Sequence, residues 1–324
     1  MQPDRESARV VLQDDQPLPE PDFSKGEHLI KVLTTSPCAG ELTWAKNFPA
    51  ILENGRTLVP CYDLGGIVEA APEGSLFPPG TEIWTRTTAW RTGNARQYTV
   101  TGTEELSKKP ASLTWEETAS IPLSGFTAYQ ALFDKGGLTP GWENEKAMHN
   151  NADKRVLVTA AAGGVGVMMI QLAKAAGIGS IIAQTSTKNI DFVKSLGATE
   201  VIDYKKQSLS EWADSGAESV HMALDALGGN TADGLFKCIK PDGAIASISD
   251  PAIATKKPTG KENVRAEFFI MESYGWQLDE IASLVGKGQV KAIVDSVWPL
   301  DEYEKAFSIV ESGHSRGKVI IRVQ

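Results

Sequence analysis

A strand, a glycine-rich turn and a helix follow one another directly between residues 155 and 177. The β-branched run 155–158 leads into Thr-Ala-Ala-Ala-Gly-Gly-Val-Gly, and the alanine-rich segment 167–177 is typical of a helix. This order predicts a dinucleotide-binding unit, in which the helix N terminus attracts the phosphates. Ala161 replaces the usual first glycine, so the motif depends on support from the sequence that follows. The residues expected to bind the diphosphate are Ala162, Gly163, Gly164, Val165 and Gly166.

The apolar run 180–185 is followed by a segment that bears on the choice between NADH and NADPH as cofactor. In units that bind NAD, an Asp or Glu near the end of this second strand holds the ribose 2′-hydroxyl. Here the sequence continues Gln184-Thr-Ser-Thr-Lys-Asn189, without an acid. Ser186 and Lys188 suit a 2′-phosphate better, because a hydroxyl and a base can bind an anion. We therefore predict NADPH; the alternative is that Lys188 merely begins the next helix on a solvated surface.

Length and charge restrict the class of protein. The 324 residues suit two domains, and 41% hydrophobic with 23% charged residues is typical of a soluble globule. A net charge of −9 argues against nucleic acid or an anionic membrane as a partner. No apolar stretch could span a bilayer, and residues 1–20 are polar and acidic, so we expect a cytoplasmic protein with a small-molecule substrate.

The chain divides into a β-rich part and a part in which strand and helix alternate. Short strands separated by Gly and Pro precede residue 122, residues 134–154 are predicted to be a loop, and strand 318–322 is expected to rejoin the first part. The alternation predicts βαβ units and a doubly wound parallel sheet. Ser247 and Ile248 end one such strand, where the sheet topology places them near the nicotinamide ribose. The predicted α/β protein has two domains, 1–122 with 288–324, and 123–287.

Short motifs in a fixed order give the chain a family resemblance. They are Gly26-Glu27, Gly125-Phe-Thr-Ala-Tyr129, the glycine turn, Leu196-Gly-Ala-Thr-Glu-Val-Ile-Asp-Tyr204, Asp225-Ala-Leu-Gly-Gly229 and Gly317-Lys-Val-Ile. Together they resemble the medium-chain dehydrogenase/reductase superfamily, in its zinc-independent quinone oxidoreductase and enoyl reductase-like branch. The segment Ser36-Pro-Cys-Ala-Gly-Glu41 is similar to fungal members. The resemblance implies a GroES-like catalytic domain from both chain ends, an inserted Rossmann domain, NADPH between the domains, and a homodimer or a monomer.

The resemblance also implies roles for individual residues. Thr127 resembles a residue beside the nicotinamide, and Tyr204 resembles one that stacks near the adenosine and its 2′-phosphate. Ile270 and Met271 stand where the family lines the nicotinamide pocket. Each residue has a purely structural alternative, as part of a helix turn, as a strand-end tyrosine or as apolar core.

Three residues bear on a catalytic zinc, which alcohol dehydrogenases of the same fold carry. Such a site needs three protein ligands and an open position. Cys38 stands where those enzymes have their first cysteine ligand, but Cys61-Tyr62-Asp63 replaces their Gly-His-Glu. Cys38, Cys61 and Asp63 would form a makeshift site at most, so we expect no metal ligands. Hydride transfer to an activated quinone, enone or enoyl compound remains feasible without a Lewis acid.

Tyr62 is the candidate proton donor, because the resemblance places it at the vacated zinc-histidine position. The alternatives are that Tyr62 only packs its ring, or that water supplies the proton. The sequence therefore predicts a zinc-independent, NADPH-dependent reductase. Other interpretations are a zinc-type alcohol dehydrogenase, an NADPH-binding protein with a structural or regulatory role, or an enzyme of a non-redox biosynthetic step.

Replacing Lys188 tests the choice of cofactor. Lys188→Ala removes the base assigned to the 2′-phosphate, so the KM for NADPH is expected to rise while the KM for NADH changes little. Both constants can be measured from cofactor oxidation at 340 nm. Equal effects on the two cofactors would contradict the phosphate role.

Overall fold

The computed structural model describes residues 10–47, 58–142 and 144–324, and these form two compact units. The first unit comprises Met1–Phe126, Glu272–Gly288 and Ala292–Gln324, and the second comprises Thr127–Met271 and Gln289–Lys291. The sequence places a domain boundary after residue 287, with residues 272–287 in the second domain. The structure instead groups Glu272–Gly288 with the first unit. This segment joins the first unit because its helix packs there: Ser107 Oγ donates to Asp279 Oδ1 over 2.6 Å.

The strands are short in the first unit and regular in the second. They are β1 (Glu27–Ser36), β2 (Asp63–Ala70), β3 (Glu82–Arg86), β4 (Tyr98–Gly102), β5 (Ser107–Lys108), β6 (Arg155–Val158), β7 (Ser180–Thr185), β8 (Glu200–Asp203), β9 (Val220–Asp225), β10 (Ile239–Ser247), β11 (Arg265–Phe268), β12 (Val294–Pro299) and β13 (Lys318–Arg322).

The helices are mostly of one to three turns. They are α1 (Trp44–Asn47), α2 (Trp115–Thr118), α3 (Pro122–Tyr129), α4 (Glu145–Asn151), α5 (Gly164–Ala175), α6 (Ile190–Leu196), α7 (Leu209–Asp214), α8 (Ala232–Cys238), α9 (Gly275–Gly286) and α10 (Tyr303–Glu311). A π-helical stretch, Gln130–Lys135, continues α3. In the described ranges no helix combines the length and the apolar character needed to cross a membrane.

The first unit contains a mixed sheet in the order β12-β13-β1-β2-β3-β5, with β4 paired to β1. All of its pairs are antiparallel except β12 with β13, which is parallel. The last strand lies beside the first, with Thr34 opposite Arg322. The prediction that residues 318–322 rejoin the first part is therefore confirmed. Side chains of Ile30, Leu64 and Ile83 form the centre of the apolar core.

The second unit is built on a parallel sheet in the order β11-β10-β9-β6-β7-β8. The chain proceeds outward from β6 to β8 and then returns to β9, beside β6, before it proceeds to the other edge. The reversal between β6 and β9 is the switch point at which such sheets bind ligands. The predicted α/β class with a doubly wound parallel sheet is confirmed.

The loop predicted for residues 134–154 is partly wrong, because helix α4 lies within it. The side chain of Asn144 accepts a hydrogen bond of 3.0 Å from Ala147 N and so caps the helix. The run Glu-Lys-Ala-Met-His-Asn-Asn has only one fully buried apolar side chain, Ala147. Its helical periodicity was hidden for that reason, since an apolar stripe is the main sequence signal of a helix.

The core of the second unit depends on Phe236, which is 1% exposed between α8 and the sheet. Phe236→Ala leaves a cavity there and is expected to lower the free energy of unfolding by about 3–5 kcal/mol. Urea denaturation followed by circular dichroism measures the change. Leu227→Ala, at a side chain 51% exposed, is the control and should change stability by about 0.5 kcal/mol or less.

Candidate active site

The glycine turn after β6 is shaped to receive a phosphate group. Gly163 caps α5 without any side-chain hydrogen bond, and a Cβ built on it would meet only Ala160 O, at 3.3 Å, within 4 Å. A Cβ on Gly166 would lie 2.6 Å from both Ala160 O and Ala161 Cα, so only glycine allows this packing. The first N–H groups of a helix lack acceptors within it. The turn therefore leaves an uncapped helix N terminus with space in front of Gly163, which suits a diphosphate.

The two strands beyond this turn bring together the residues predicted for the 2′-phosphate. Thr185 and Asp203 are partners in the parallel pair β7–β8, and Tyr204 N donates to Thr185 O over 3.0 Å. Ser186 is buried, and Tyr204 is 48% exposed. Lys188 is exposed to solvent.

Asp203 and Lys205 are residues of this edge that the sequence interpretation missed. The Asp203 carboxylate accepts from Thr187 Oγ1 over 2.6 Å, a hydrogen bond that keeps the pKa of Asp203 below its ordinary value. Lys205 Nζ lies 5.2 Å from the centre of the Tyr204 ring. Asp203 belongs to β8, whereas the acid of an NAD-binding unit is expected near the end of the second strand, here β7. The pairing register that brings Asp203 to that end is set by tertiary structure.

Asp225 organises the carboxyl ends of β9 and β10. Its carboxylate accepts from the N–H groups of Leu227 and Gly228, and from Ser247 Oγ over 2.8 Å. The Ser247 hydroxyl is thus engaged in holding the loop after β9. Ile248 N donates to the Asp225 carbonyl over 2.9 Å, and its side chain is half-buried.

The remaining predicted cofactor residues differ in exposure. Ile270 and Met271 follow β11, the neighbour of β10, but Ile270 is 55% exposed whereas Met271 is buried. Thr127 is buried on α3, away from the strand ends in sequence. Apart from Thr127, all of the predicted cofactor residues lie at or just after the carboxyl ends of strands β6, β7, β8, β10 and β11, which belong to a single sheet.

Tyr62 lies in the first unit, between two other side chains. Its ring centre is 5.4 Å from that of Trp44 and 5.6 Å from Cζ of Arg86, and the residue is 5% exposed. The peptide carbonyl of Tyr62 accepts from Asn94 Nδ2 over 2.7 Å, and from Thr87 N over 3.0 Å. These two hydrogen bonds hold the backbone of Tyr62 against the segment 87–94.

Next to Tyr62, the one carboxylate of the makeshift metal site, Asp63, is engaged with other groups. Lys318 Nζ lies 3.0 Å from Asp63 Oδ2 and donates to the carbonyl of Pro37 over 3.2 Å. Asp63 Oδ1 accepts from Leu123 N over 2.7 Å. Lys318 was part of a family motif in the sequence but had been given no role. Lys318 lies on the last strand and Asp63 on the second, and only the order of the strands in the sheet shows that the two side chains meet.

Burial determines which groups of this cluster carry charge. It raises the pKa of Glu41 to about 8 and that of the Cys38 thiol to about 11. Burial is the largest single influence and lowers the pKa of Lys318, but Asp63, Cys38 and Glu41 together raise it by more, so the net change is upward and the ammonium keeps its charge. Within the described ranges, no group of three or more His, Cys, Asp or Glu side chains is placed to hold a metal ion.

Comparison with known proteins identifies the family. A family model described as zinc-binding dehydrogenase matches residues 196–321. The probable zinc-binding oxidoreductase, mitochondrial, of Arthroderma benhamiae is 41% identical over 312 residues, which cover 95% of this chain and 92% of the relative. The chain belongs to the medium-chain dehydrogenase/reductase superfamily. The resemblance noted in the sequence is confirmed.

Two further proteins place the chain within this superfamily. The human mitochondrial NAD(P)H oxidoreductase RTN4IP1 is 32% identical, with 81% of this chain and 69% of the relative covered. The structure of the quinone oxidoreductase from Coxiella burnetii has a TM-score of 0.80 at 25% identity, covering 94% of this chain and 93% of the other. The protein is thus an oxidoreductase of the quinone oxidoreductase-like type, in an NAD(P)-dependent family. The mixed sheet is its GroES-like part and the parallel sheet its Rossmann part.

Glu41 gives the stability of this protein a distinctive pH dependence. Its pKa is about 8 in the folded protein and about 4.5 in an unfolded chain, so the folded state binds the extra proton between those values. The free energy of unfolding therefore falls as pH rises from 5 to 8, by up to about 4 kcal/mol. Glu41→Gln is expected to abolish this fall and to be more stable than wild type at pH 8.

Urea denaturation at pH 5 and pH 8 measures the effect. Glu73→Gln, at an exposed carboxylate, is the control and should keep the pH dependence of wild type. An unchanged pH dependence in Glu41→Gln would show that Glu41 ionises normally in the folded protein.

Proposed function

We propose that this protein is a zinc-independent, NADPH-dependent reductase that delivers hydride to an activated acceptor, a quinone, an enone or an enoyl compound. The observation that carries the proposal is the Lys318 ammonium, 3.0 Å from Asp63 Oδ2. A divalent metal at Cys38, Cys61 and Asp63 would have to displace this cation from a buried carboxylate. Tyr62 also stands where a metal site would need a histidine. The residues present therefore fit a metal poorly and fit a permanent internal cation well.

The second unit is proposed as the cofactor domain, and the first as the catalytic domain. Gly164 and Val165 offer N–H groups to the diphosphate, because the helix behind them has no side-chain cap. Gly163 N already donates to Ala160 O over 2.9 Å, so Gly163 contributes the open space in front of the helix instead. Ser186 and Lys188 would hold the 2′-phosphate. The bound cofactor supplies the hydride. The residues at the strand ends bind it and orient its two halves.

Tyr62 is proposed to supply the proton that completes the reduction. Hydride addition to an enone or a quinone leaves negative charge on the acceptor oxygen, and a positioned phenol can neutralise it. The ring is held by Trp44 and Arg86, and the backbone by Asn94 and Thr87. Such fixation favours proton transfer, because little reorganisation is needed at the moment of reaction.

NADH is a second candidate cofactor because of Asp203. This carboxylate lies at the end of β8, hydrogen-bonded to Thr187, beside Ser186 and Lys188. A carboxylate near the end of the second strand is the usual partner of a ribose 2′-hydroxyl and would repel a phosphate. The positive charges of Lys188 and Lys205 offset the negative charge of Asp203 at this edge of the sheet. We therefore retain NADPH as the proposed cofactor.

Two further features are proposed on the same grounds. A homodimer follows from the family resemblance, and light scattering on the purified protein tests it. A cytoplasmic location is proposed as the second feature. The relatives from Arthroderma benhamiae and human carry the word mitochondrial in their names, so imaging of the tagged protein decides between the two compartments.

Turnover by metal-stripped protein tests the function. NADPH and NADH oxidation are followed at 340 nm across quinones, enones and enals, before and after chelation and with zinc added back. We expect NADPH oxidation with one acceptor class, unchanged by metal removal. Loss of activity on chelation and its recovery with zinc would identify a zinc-type alcohol dehydrogenase. Tight NADPH binding without turnover would favour a binding or non-redox role.

Tyr62→Phe tests the proton donor. Removing the phenol oxygen is expected to lower kcat by about tenfold or more with little change in KM, because only the transition state loses an interaction. Trp44→Phe keeps an aromatic neighbour for the ring and is the control. Unchanged turnover in Tyr62→Phe would leave water as the donor.

A further inference from the structure

Among the residues that the structure describes, the buried cation Arg86 has no counter-ion of its own. It ends β3, is 2% exposed, and its Nε has no hydrogen-bond partner. Its Nη1 reaches Ser273 Oγ only at 3.5 Å, the limit for a hydrogen bond. Across the described ranges no carboxylate comes within 4 Å of the guanidinium. A charged group buried in this way is costly, and its presence calls for an explanation.

The two carboxylates whose charge acts on Arg86 are already engaged elsewhere. Asp63 has Lys318 at 3.0 Å. Glu105 has Arg91 Nε at 3.3 Å and also accepts from Thr88 N over 2.9 Å. Both raise the pKa of Arg86, although burial lowers it by more. The positive charge of Arg86 is therefore only partly compensated.

The other acidic groups of the cluster are neutral near pH 7. Burial raises the pKa of Glu41 to about 8 and that of Cys38 to about 11, and it raises the pKa of Cys61 well above its ordinary value. None of these three side chains offers Arg86 a negative charge at that pH. An arginine stays protonated under these conditions. Arg86 therefore depends for negative charge on Asp63 and Glu105, each of which also faces another cation.

Tyr62 is the neighbour of Arg86 that the proposed reaction turns into an anion. The Arg86 Cζ atom lies 5.6 Å from the centre of the Tyr62 ring. A charge of opposite sign at about 4–6 Å favours the ionised form of a group, above all where water is scarce. The guanidinium of Arg86, whose charge is only partly compensated, therefore lies over the ring on which a phenolate would form.

We propose that Arg86 is a positioning residue of the reduction, whose guanidinium stabilises the phenolate that Tyr62 becomes on giving up its proton. The inference rests on the proposed function. Hydride from the reduced cofactor forms a C–H bond on an enone or enoyl acceptor, or reduces a quinone, and leaves an oxyanion. The Tyr62 O–H bond breaks, its proton neutralises that anion, and the phenolate beside Arg86 then takes a proton from water.

Tyrosine ionisation in the cofactor-free protein tests Arg86 without any turnover. The rise of tyrosinate absorbance near 295 nm is recorded between pH 7 and 12 for wild type and Tyr62→Phe, and the difference isolates Tyr62. The same pair of measurements is made with Arg86→Met and Arg86→Lys. The midpoint of the Tyr62 signal is expected to move up by about one pH unit or more in R86M, and by less in R86K. If R86M does not fold, Arg86→Gln is measured in its place.

A double-mutant cycle tests whether Arg86 acts through Tyr62. R86M is expected to lower kcat by about tenfold with KM nearly unchanged, and R86K to restore most of it. In the Tyr62→Phe background, R86M should have little further effect, because the group that it serves is gone. In a plot of kcat against pH, the change on the alkaline side should occur at a higher pH in R86M than in wild type.

The outcomes separate this inference from the proposed function. An equal or lower midpoint in R86M and R86Q would overturn the role of Arg86, whatever the enzyme reduces. A shifted midpoint together with full activity of Tyr62→Phe would retain the electrostatic pair but remove Tyr62 as the donor. Additive losses of kcat in the double variant would show that Arg86 acts on another group, and would also overturn the proposal.

Discussion

The buried ion pair between Lys318 and Asp63 determines much of the first unit. Lys318 begins the last strand, and Asp63 begins the second strand of the same sheet. Through Lys318 Nζ and Asp63 Oδ1, the pair also fixes the carbonyl of Pro37 and the N–H of Leu123. Removing one member of such a pair leaves an uncompensated charge in the interior, which is strongly destabilising. The last strand is thereby tied to the segments that carry Pro37, Asp63 and Leu123.

This pair also gives the site its electrostatic character. A charge fixed by the fold does not depend on metal supply or on ligand geometry, but it cannot bind a substrate oxygen as an open metal site does. The chemistry left to such a site is proton transfer and stabilisation of charge by fixed groups. We propose Tyr62 and Arg86 as the groups that carry it out. Neither needs a metal, and both are held by residues of the same unit.

Some parts of the site could be predicted from sequence because their signals are local. The glycine turn is an example: Gly166 is required by a contact with Ala160, only six residues away. Ser186 and Lys188 could be proposed for the same reason, since they directly follow strand β7. Helix α4 was missed despite being local, because its apolar stripe is too narrow to recognise. Asp203 was missed because it reaches the end of β7 only through strand pairing.

The sequence by itself determined the family, the parallel sheet with its dinucleotide turn, and the return of the last strand to the first. These follow from short-range order, in which strand, turn and helix succeed one another along the chain. Only the tertiary structure decided that Lys318 faces Asp63, 255 positions away in sequence, and that Arg86 lies over Tyr62. A salt bridge or a ring contact across a sheet depends on register and on what is buried beside it. Neither is encoded in the spacing of residues along the chain.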